Sequence, residues 1–289
     1  MKVYVTSDGL AREAADGDLE ILDLPARDLG ETLTEDPDLD SVRGAAVKRR
    51  SALEDVCLCA PIARPGKVIG IGINYHSHVE ETRDLLAAQG IQPPEAPMFF
   101  LAPGTAVIGP EDEIVLPAIA PDNVDYEIEL VAVIGRVASN VAAADAMSHV
   151  VGYTLGNDVS ARDVQRRSFE SPEFSMSHAK GIDTFKPLGP ALVTRDEFDE
   201  PLDVHLTTRV NGEVRQDSRT TDFVHSIASC VAEITKYMSL EPGDVIFTGS
   251  PAGVGVFSGQ FLKHGDVVEL EADRIGSLRN VVAKCPNSA

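Results

Sequence analysis

No stretch of this sequence approaches the ~18 uninterrupted apolar residues that a bilayer crossing needs. The opening MKVYVTSDGL also lacks an apolar run long enough for a secretion signal. A soluble cytoplasmic protein without membrane contact is the expectation. Cysteine is sparse: Cys57, Cys59, Cys230 and Cys285 are all there is. The first two form CLC rather than CxxC, and no second close pair or histidine cluster completes a zinc spacing, so ordinary thiols are expected. Positive charge is short as well. With 25 Lys and Arg against 46 Asp and Glu, the net charge is −21. A nucleic-acid binder needs clustered cations to displace phosphate counterions, so nucleic acid is excluded as a partner, and anionic membranes with it. An anionic substrate would need local positive charge at its site. Only eight of the basic residues are lysine, a composition that fits adaptation to salt.

What the chain does have is length and apolar content. Its 289 residues are 43% hydrophobic, enough for one large domain, or a large and a small one. Residues 1–62 read as a small N-terminal α/β domain. VYV and LEILDL suggest strands, ETLTEDPDLD is an acidic connector, and the prolines and glycine of APIARPGK mark a boundary near 60–67. From residue 65 to 283 strand-like runs dominate: VIGIGI, PMFFLAP, TAVIGP, DEIVLP, YEIELVAVIG, VVGYTLGN, GPALVT, DVHLTTRV, DVIFTG and VVELEA. VNGE at 210–213 reads as a tight hairpin turn. Ser77 followed by Glu80 is a capping-box signature. The helix it opens carries Val79, Thr82, Leu85 and Leu86 as a thin apolar stripe and stops at Gly90 and Pro93–Pro94. TTDFVHSIASCVAEITKYMSL predicts one amphipathic helix ending before Pro242. No sequence repeat is present. Helices do not alternate regularly with strands, so the architecture is β-rich with a few helices, not a doubly wound sheet.

DYEIELVAVIG carries the strongest chemical clue. In a strand alternate side chains share a face, which projects Glu127 and Glu129 together, about 6.6 Å apart along the backbone, with Asp125 on the same side. Two carboxylates in a core-like strand repel one another and lose hydration, and a divalent cation resolves that conflict. The competing reading is an edge strand with one wet face. Asp158, at the end of VVGYTLGN, is a third candidate ligand. Helix capping is its ordinary alternative, but Ser160, with Asp163 three residues on, is the better cap. Arg162 and Gln165 then share a helix face where they could meet an anionic or carbonyl-bearing substrate. Arg166 and Arg167 read equally well as surface charge. All-oxygen ligation favours Mg²⁺, with Mn²⁺ or Ca²⁺ as alternatives. His78 and Glu81, at i and i+3 of the Ser77 helix, form a pair in which the carboxylate can orient the imidazole as a proton acceptor. Such residues are also commonly just solvated. His76 lies before the cap and lacks that relation. The turn TGSPAGVG has neither GxGxxG spacing nor a P-loop lysine, and reads either as a backbone N–H cradle near a ligand or as a bare turn.

VIGIGINYHSHVEE, DYEIELVAVIG, GNDVSARDVQ, AKGIDTFKPLGP, VNGEVRQ and LEPGDVIFTGSPAGVG follow in that order. Together they resemble the fumarylacetoacetate hydrolase family across about residues 65–283. The resemblance implies Mg²⁺ on Glu127, Glu129 and Asp158, a His78–Glu81 dyad on a lid-like helix, a catalytic Lys180, and substrate contacts from Arg162, Gln165 and the Ser250 turn. It also implies a β-rich α+β fold of layered mixed sheets with a small N-terminal domain, and a homodimer acting on a small 2-oxo or β-diketo acid, as in the breakdown of aromatic compounds. Two positions depart from the pattern: FLAP places Ala102 where many members have lysine, and TGSP places Ser250 in a TGTP motif. The leading expectation is a hydrolase cleaving a C–C bond of an acylpyruvate- or fumarylpyruvate-type acid. Rivals on the same scaffold are a 2-oxo diacid decarboxylase or isomerase and a sugar-acid dehydratase. A non-catalytic, metal-stabilised protein is the alternative of another class.

Overall fold

A computed structural model describes residues 1–26, 28–88 and 95–285. Its spine is one large sheet. From one edge its strands are Val47–Ser51, Leu19–Leu22, Gly9–Glu13, Lys2–Thr6, Lys186–Thr194, Val150–Asn157, Ile128–Ile134, Val245–Phe247, Val68–Gly72 and Met98–Ala102. The N-terminal strands therefore join the rest through a main-chain ladder, with Val3 opposite Leu192 and Tyr4 opposite Ala191. A second sheet of five strands packs against this spine: Glu213–Arg219, His205–Val210, Val267–Ala272, Gly276–Lys284 and Ile114–Leu116. The architecture is the expected mixed, strand-rich α+β fold. No helix among the described residues is long and apolar enough to cross a membrane.

The central strand Ile128–Ile134 is buried at every position, and its two faces serve different cores. Ile128, Leu130 and Ala132 pack with Leu206, Leu270 and Leu278 of the five-stranded sheet. Val131 and Val133 face the other way, among Leu192, Val245, Phe247, Leu29 and Leu33. A strand covered on both sides reads as a continuous apolar run. Each such side chain contributes roughly 1.5–3 kcal/mol by leaving water, so the strand's upstream end is held firmly where Glu127 and Glu129 sit.

Three local expectations give way to tertiary partners. The helix around His78 spans His76–Ala88, so Ser77 lies inside it and no capping box forms. Asp222, from a distant turn, accepts the Ser77 amide at 2.9 Å instead. The side chains of Leu85 and Leu86, and the stop at Gly90 and Pro93–Pro94, lie outside the described residues. Ser160 does not cap the following helix either: it sits in a short bridge opposite Asp125, its hydroxyl donates to the Asp158 carbonyl, and the helix begins at Arg162. The long helix expected over 220–240 shrinks to Ile227–Ile234, capped by Ser226. Phe223 is drawn into a bridge with Tyr75 and the Val224 amide donates to the Asn74 carbonyl, which takes those residues out of the helix. The hairpin is as expected, with Asn211 and Gly212 at positive φ between paired strands.

Candidate active site

Strand pairing assembles the acidic centre. Ile128 lies opposite Asn157 and Glu129 opposite Gly156, and the Asp158 amide donates to the Glu127 carbonyl at 2.8 Å. That register carries Asp158 alongside the two glutamates. Glu127, Glu129 and Asp158 are 6%, 1% and 1% exposed, and one carboxylate oxygen from each lies within 4.8 Å of the others. Asn157 fixes the edge by accepting the Glu127 amide at 2.9 Å.

Three cations surround them. Lys180 Nζ lies 2.9 Å from Glu127 Oε2 and 2.6 Å from Asp158 Oδ2. Lys186 Nζ lies 2.6 Å from Asp158 Oδ1. Arg162 reaches Asp125 Oδ2 at 2.7 Å and Glu127 Oε1 at 2.5 Å. The compensation is uneven. Burial pushes the Glu127 carboxyl up, but Lys180 and then Arg162 outweigh it and hold the group at about 2. Glu129 forms no ion pair of its own among the described residues. Burial first, then the charges of Asp158 and Glu127, push it well above the usual carboxylate range, against the charge of Lys180 and one donor, the Gly249 amide at 2.7 Å. Burial works against the charge of Lys180 too, yet Asp158 and Glu127 leave it more firmly protonated than usual.

This donor set fits a hard divalent cation. Three oxygen ligands converge from rigid backbone, and the repulsion left on Glu129 is what a bound cation relieves. The charge chemistry does not separate Mg²⁺ from its neighbours.

Four amides in and next to the turn TGSPAGVG serve protein carboxylates: Gly249 donates to Glu129, Gly253 to Glu81 Oε1 at 3.0 Å, and Gly255 and the following Val256 to Asp125 at 2.7 and 3.0 Å. Glycine is required at two of these positions. Gly249 and Gly253 have φ of 98° and 101°, and a Cβ would lie 2.6 Å from the Asn74 side chain in one case and 2.1 Å from the Arg215 carbonyl in the other.

His78 Nδ1 lies 2.9 Å from Glu81 Oε2, as expected for a dyad. With a carboxylate at Nδ1, Nε2 is the nitrogen left to exchange a proton, and among the described residues it makes no hydrogen bond. His78 is near enough for its charge to act on Glu127, and the Phe257 ring packs edge-on against it at 6.2 Å. Gln165 Oε1 accepts from Arg162 Nη1 at 2.7 Å, so these two candidate substrate contacts hold one another, and Arg162 is spent mainly on carboxylates. Ser250 is buried and accepts from Gln216 Nε2 at 2.8 Å. Gln216 also receives the Ile128 amide at 3.0 Å. Ala102 packs in the apolar cluster with Val131 and Phe247, so its strand brings no cation in place of the absent lysine. The sequence reading did not single out Lys186 or Gln216, and placed Asp125 on the glutamates' face without its arginine. NGEVRQ gave only its turn, and a lysine in FKP carries no local mark of burial.

A family model for the fumarylacetoacetate (FAA) hydrolase C-terminal region matches residues 67–283. The chain is 41% identical over 230 residues to human "Oxaloacetate tautomerase FAHD2A, mitochondrial", covering 79% of this chain and 70% of the relative. It is 41% identical over 278 residues to "Protein Rv2993c" of Mycobacterium tuberculosis, covering 96% and 95%. Among solved structures, "5-carboxymethyl-2-hydroxymuconate delta-isomerase" from Mycobacterium smegmatis superposes with a TM-score of 0.75 at 38% identity, over 99% of this chain and 100% of that one. The fumarylacetoacetate hydrolase of Exiguobacterium antarcticum superposes with a TM-score of 0.82 at 33% identity, with the same coverage.

Proposed function

Because the chain belongs to the fumarylacetoacetate hydrolase family, we propose that it is a divalent-metal-dependent enzyme that moves a proton beside the keto group of a 2-oxo diacid, interconverting keto and enol forms. The observation that carries this reading is the imidazole of His78, clamped at Nδ1 and near the acidic trio. The relatives named for oxaloacetate tautomerisation and hydroxymuconate isomerisation support the substrate class.

Glu127, Glu129 and Asp158 would hold the cation. When bound, it supplies the positive charge that favours an enolate oxygen over a keto oxygen. The chain's own residues do the rest. His78 Nε2 takes the proton from the carbon next to the keto group, the C–H electron pair becomes the C=C bond, and the former C=O pair moves onto oxygen. Protonation of that oxygen completes the enol, and the reverse steps restore the ketone. Glu81 orients the imidazole and stabilises its charged form. Lys180, beside Glu127 and Asp158, is the cation placed to meet the substrate's carboxylate or enolate oxygen.

A second reading rests on the same dyad. An imidazole with one nitrogen free can also activate water for attack on a distal carbonyl, giving C–C cleavage of an acylpyruvate; the structural neighbour named as a fumarylacetoacetate hydrolase favours it. One panel separates the two: enol-to-keto conversion of oxaloacetate and cleavage of acylpyruvates, each with Mg²⁺ or Mn²⁺ and each repeated in EDTA. Oxaloacetate ketonisation well above the buffer rate, abolished by EDTA, is expected. Acylpyruvate cleavage without it would replace the tautomerase reading, and inactivity on every 2-oxo acid would refute both.

A further inference from the structure

Lys186 is the buried group for which the reaction above has no use. Its side chain is 0% exposed, and an ammonium so deep is costly unless its charge and its N–H donors find partners. Nζ donates to the carbonyl of Lys180 and to the carbonyl of Phe185 at 3.2 Å, and its charge is paired with Asp158 Oδ1, 2.6 Å away. The Phe247 ring closes the remaining side, 5.9 Å from Nζ to its centroid.

Those acceptors are not a random selection. Asp158 offers Oδ1 to Lys186 and Oδ2 to Lys180, so Lys186 sets the rotation of the carboxylate and thereby which oxygen turns toward the glutamates. The Lys180 carbonyl ends the short helix Met176–Lys180, so the same ammonium anchors the backbone from which Lys180 reaches the trio. Lys186 itself opens the strand Lys186–Thr194, which pairs with Val150–Asn157, Leu188 lying opposite Gly156. Its own backbone is therefore fixed to the strand that ends at Asn157, directly before Asp158.

We infer that Lys186 is a positioning residue of the acidic centre: it aims Asp158 at the cation site and holds Lys180 in register with it. This rests on the reading that Glu127, Glu129 and Asp158 bind a divalent cation. The rival account is a plain counter-ion that offsets the trio's negative charge. The two differ in sign. If Lys186 only supplies charge, deleting it strengthens cation binding, because a repelling neighbour is gone. If it positions Asp158, deleting it weakens binding in spite of that gain.

The test is calorimetric Mg²⁺ and Mn²⁺ binding to the full-length protein and to Lys186→Met and Lys186→Arg, each first checked for native circular dichroism. Lys186→Arg keeps the charge and displaces the donors, so a counter-ion role predicts near-wild-type affinity for it, and it decides the matter if Lys186→Met does not fold. Positioning predicts at least tenfold weaker binding in every variant that folds. Unchanged or tighter binding in a folded variant overturns it, and failure of both variants to fold overturns it in favour of a structural counter-ion. If the wild-type chain binds neither ion, the cation-site reading falls and this inference with it; if the wild type binds and the variants bind no worse, only the role of Lys186 falls.

Discussion

Glu127 and Glu129 are two residues apart, yet their replacement by glutamine should move stability in opposite directions in EDTA-treated protein. An unfolded glutamate titrates near 4.3. Glu127 is held at about 2 by Lys180 and Arg162, so its contribution is fully present above the unfolded value and is lost as pH falls toward 2. From about 4.3 down to about 2, that contribution is about 3 kcal/mol. This agrees with the low end of the penalty for breaking a buried ion pair. Glu129 is raised instead. Between the unfolded and folded values the native protein keeps a proton that the unfolded chain has released, so stability falls as pH rises through that window, by at most about 1.4 kcal/mol per pH unit. Glu129→Gln removes the liability and keeps an oxygen for the Gly249 amide. Thermal melts from pH 5 to 8 should therefore place Glu129→Gln above wild type by a margin that widens with pH. Glu127→Gln should melt roughly 6 °C or more below wild type, at about 2 °C per kcal/mol for a chain of this size. Both variants should lose Mg²⁺ binding by calorimetry. A Glu129→Gln protein that melts below wild type at pH 8, or a Glu127→Gln protein as stable as wild type, would refute the uneven compensation argued here.

His78→Ala should lower turnover by ~10²–10⁴, the usual worth of a positioned general base, with Mg²⁺ affinity unchanged because His78 is outside the ligand set; near-wild-type turnover would remove it from the mechanism. Glu81→Gln should act in the same direction, since among the described residues Glu81 is the partner of Nδ1. The helix His76–Ala88 should be cut early by limiting protease in the ligand-free protein and protected by oxalate with Mg²⁺, as expected of a lid helix. Equal cutting in both states would count against a lid.

The acidic trio was legible because its geometry is a consequence of strand periodicity. Alternation puts Glu127 and Glu129 on one face whatever surrounds them, and the apolar run that follows shows that the face is buried. Asp158 was legible for a similar reason, standing where an apolar strand ends. The failures share a cause too. Ser77, Ser160 and the 220–240 helix were read from local capping and periodicity, and each lost to a partner far along the chain: Asp222 for the Ser77 amide, Asp125 opposite Ser160, and Tyr75 and Asn74 for Phe223 and Val224. Local signals of this kind are worth about 1 kcal/mol, less than the burial and pairing that displaced them.

Charge partners were the least legible feature, and the active site turns on them. Arg162 was expected to face substrate from a helix, and it does start that helix. Its guanidinium is nevertheless committed to Asp125 and Glu127, with Gln165 on a remaining N–H. Asp125 is itself held by the Gly255 and Val256 amides, so Arg162 links the acidic strand to the glycine turn that also orients Glu81 through Gly253. The turn therefore holds a member of the trio and a member of the dyad on one rigid piece of backbone. While the Gly253 amide holds Glu81, the position of the His78 helix relative to the acidic trio is set by the sheet and by the positive-φ glycines of the turn.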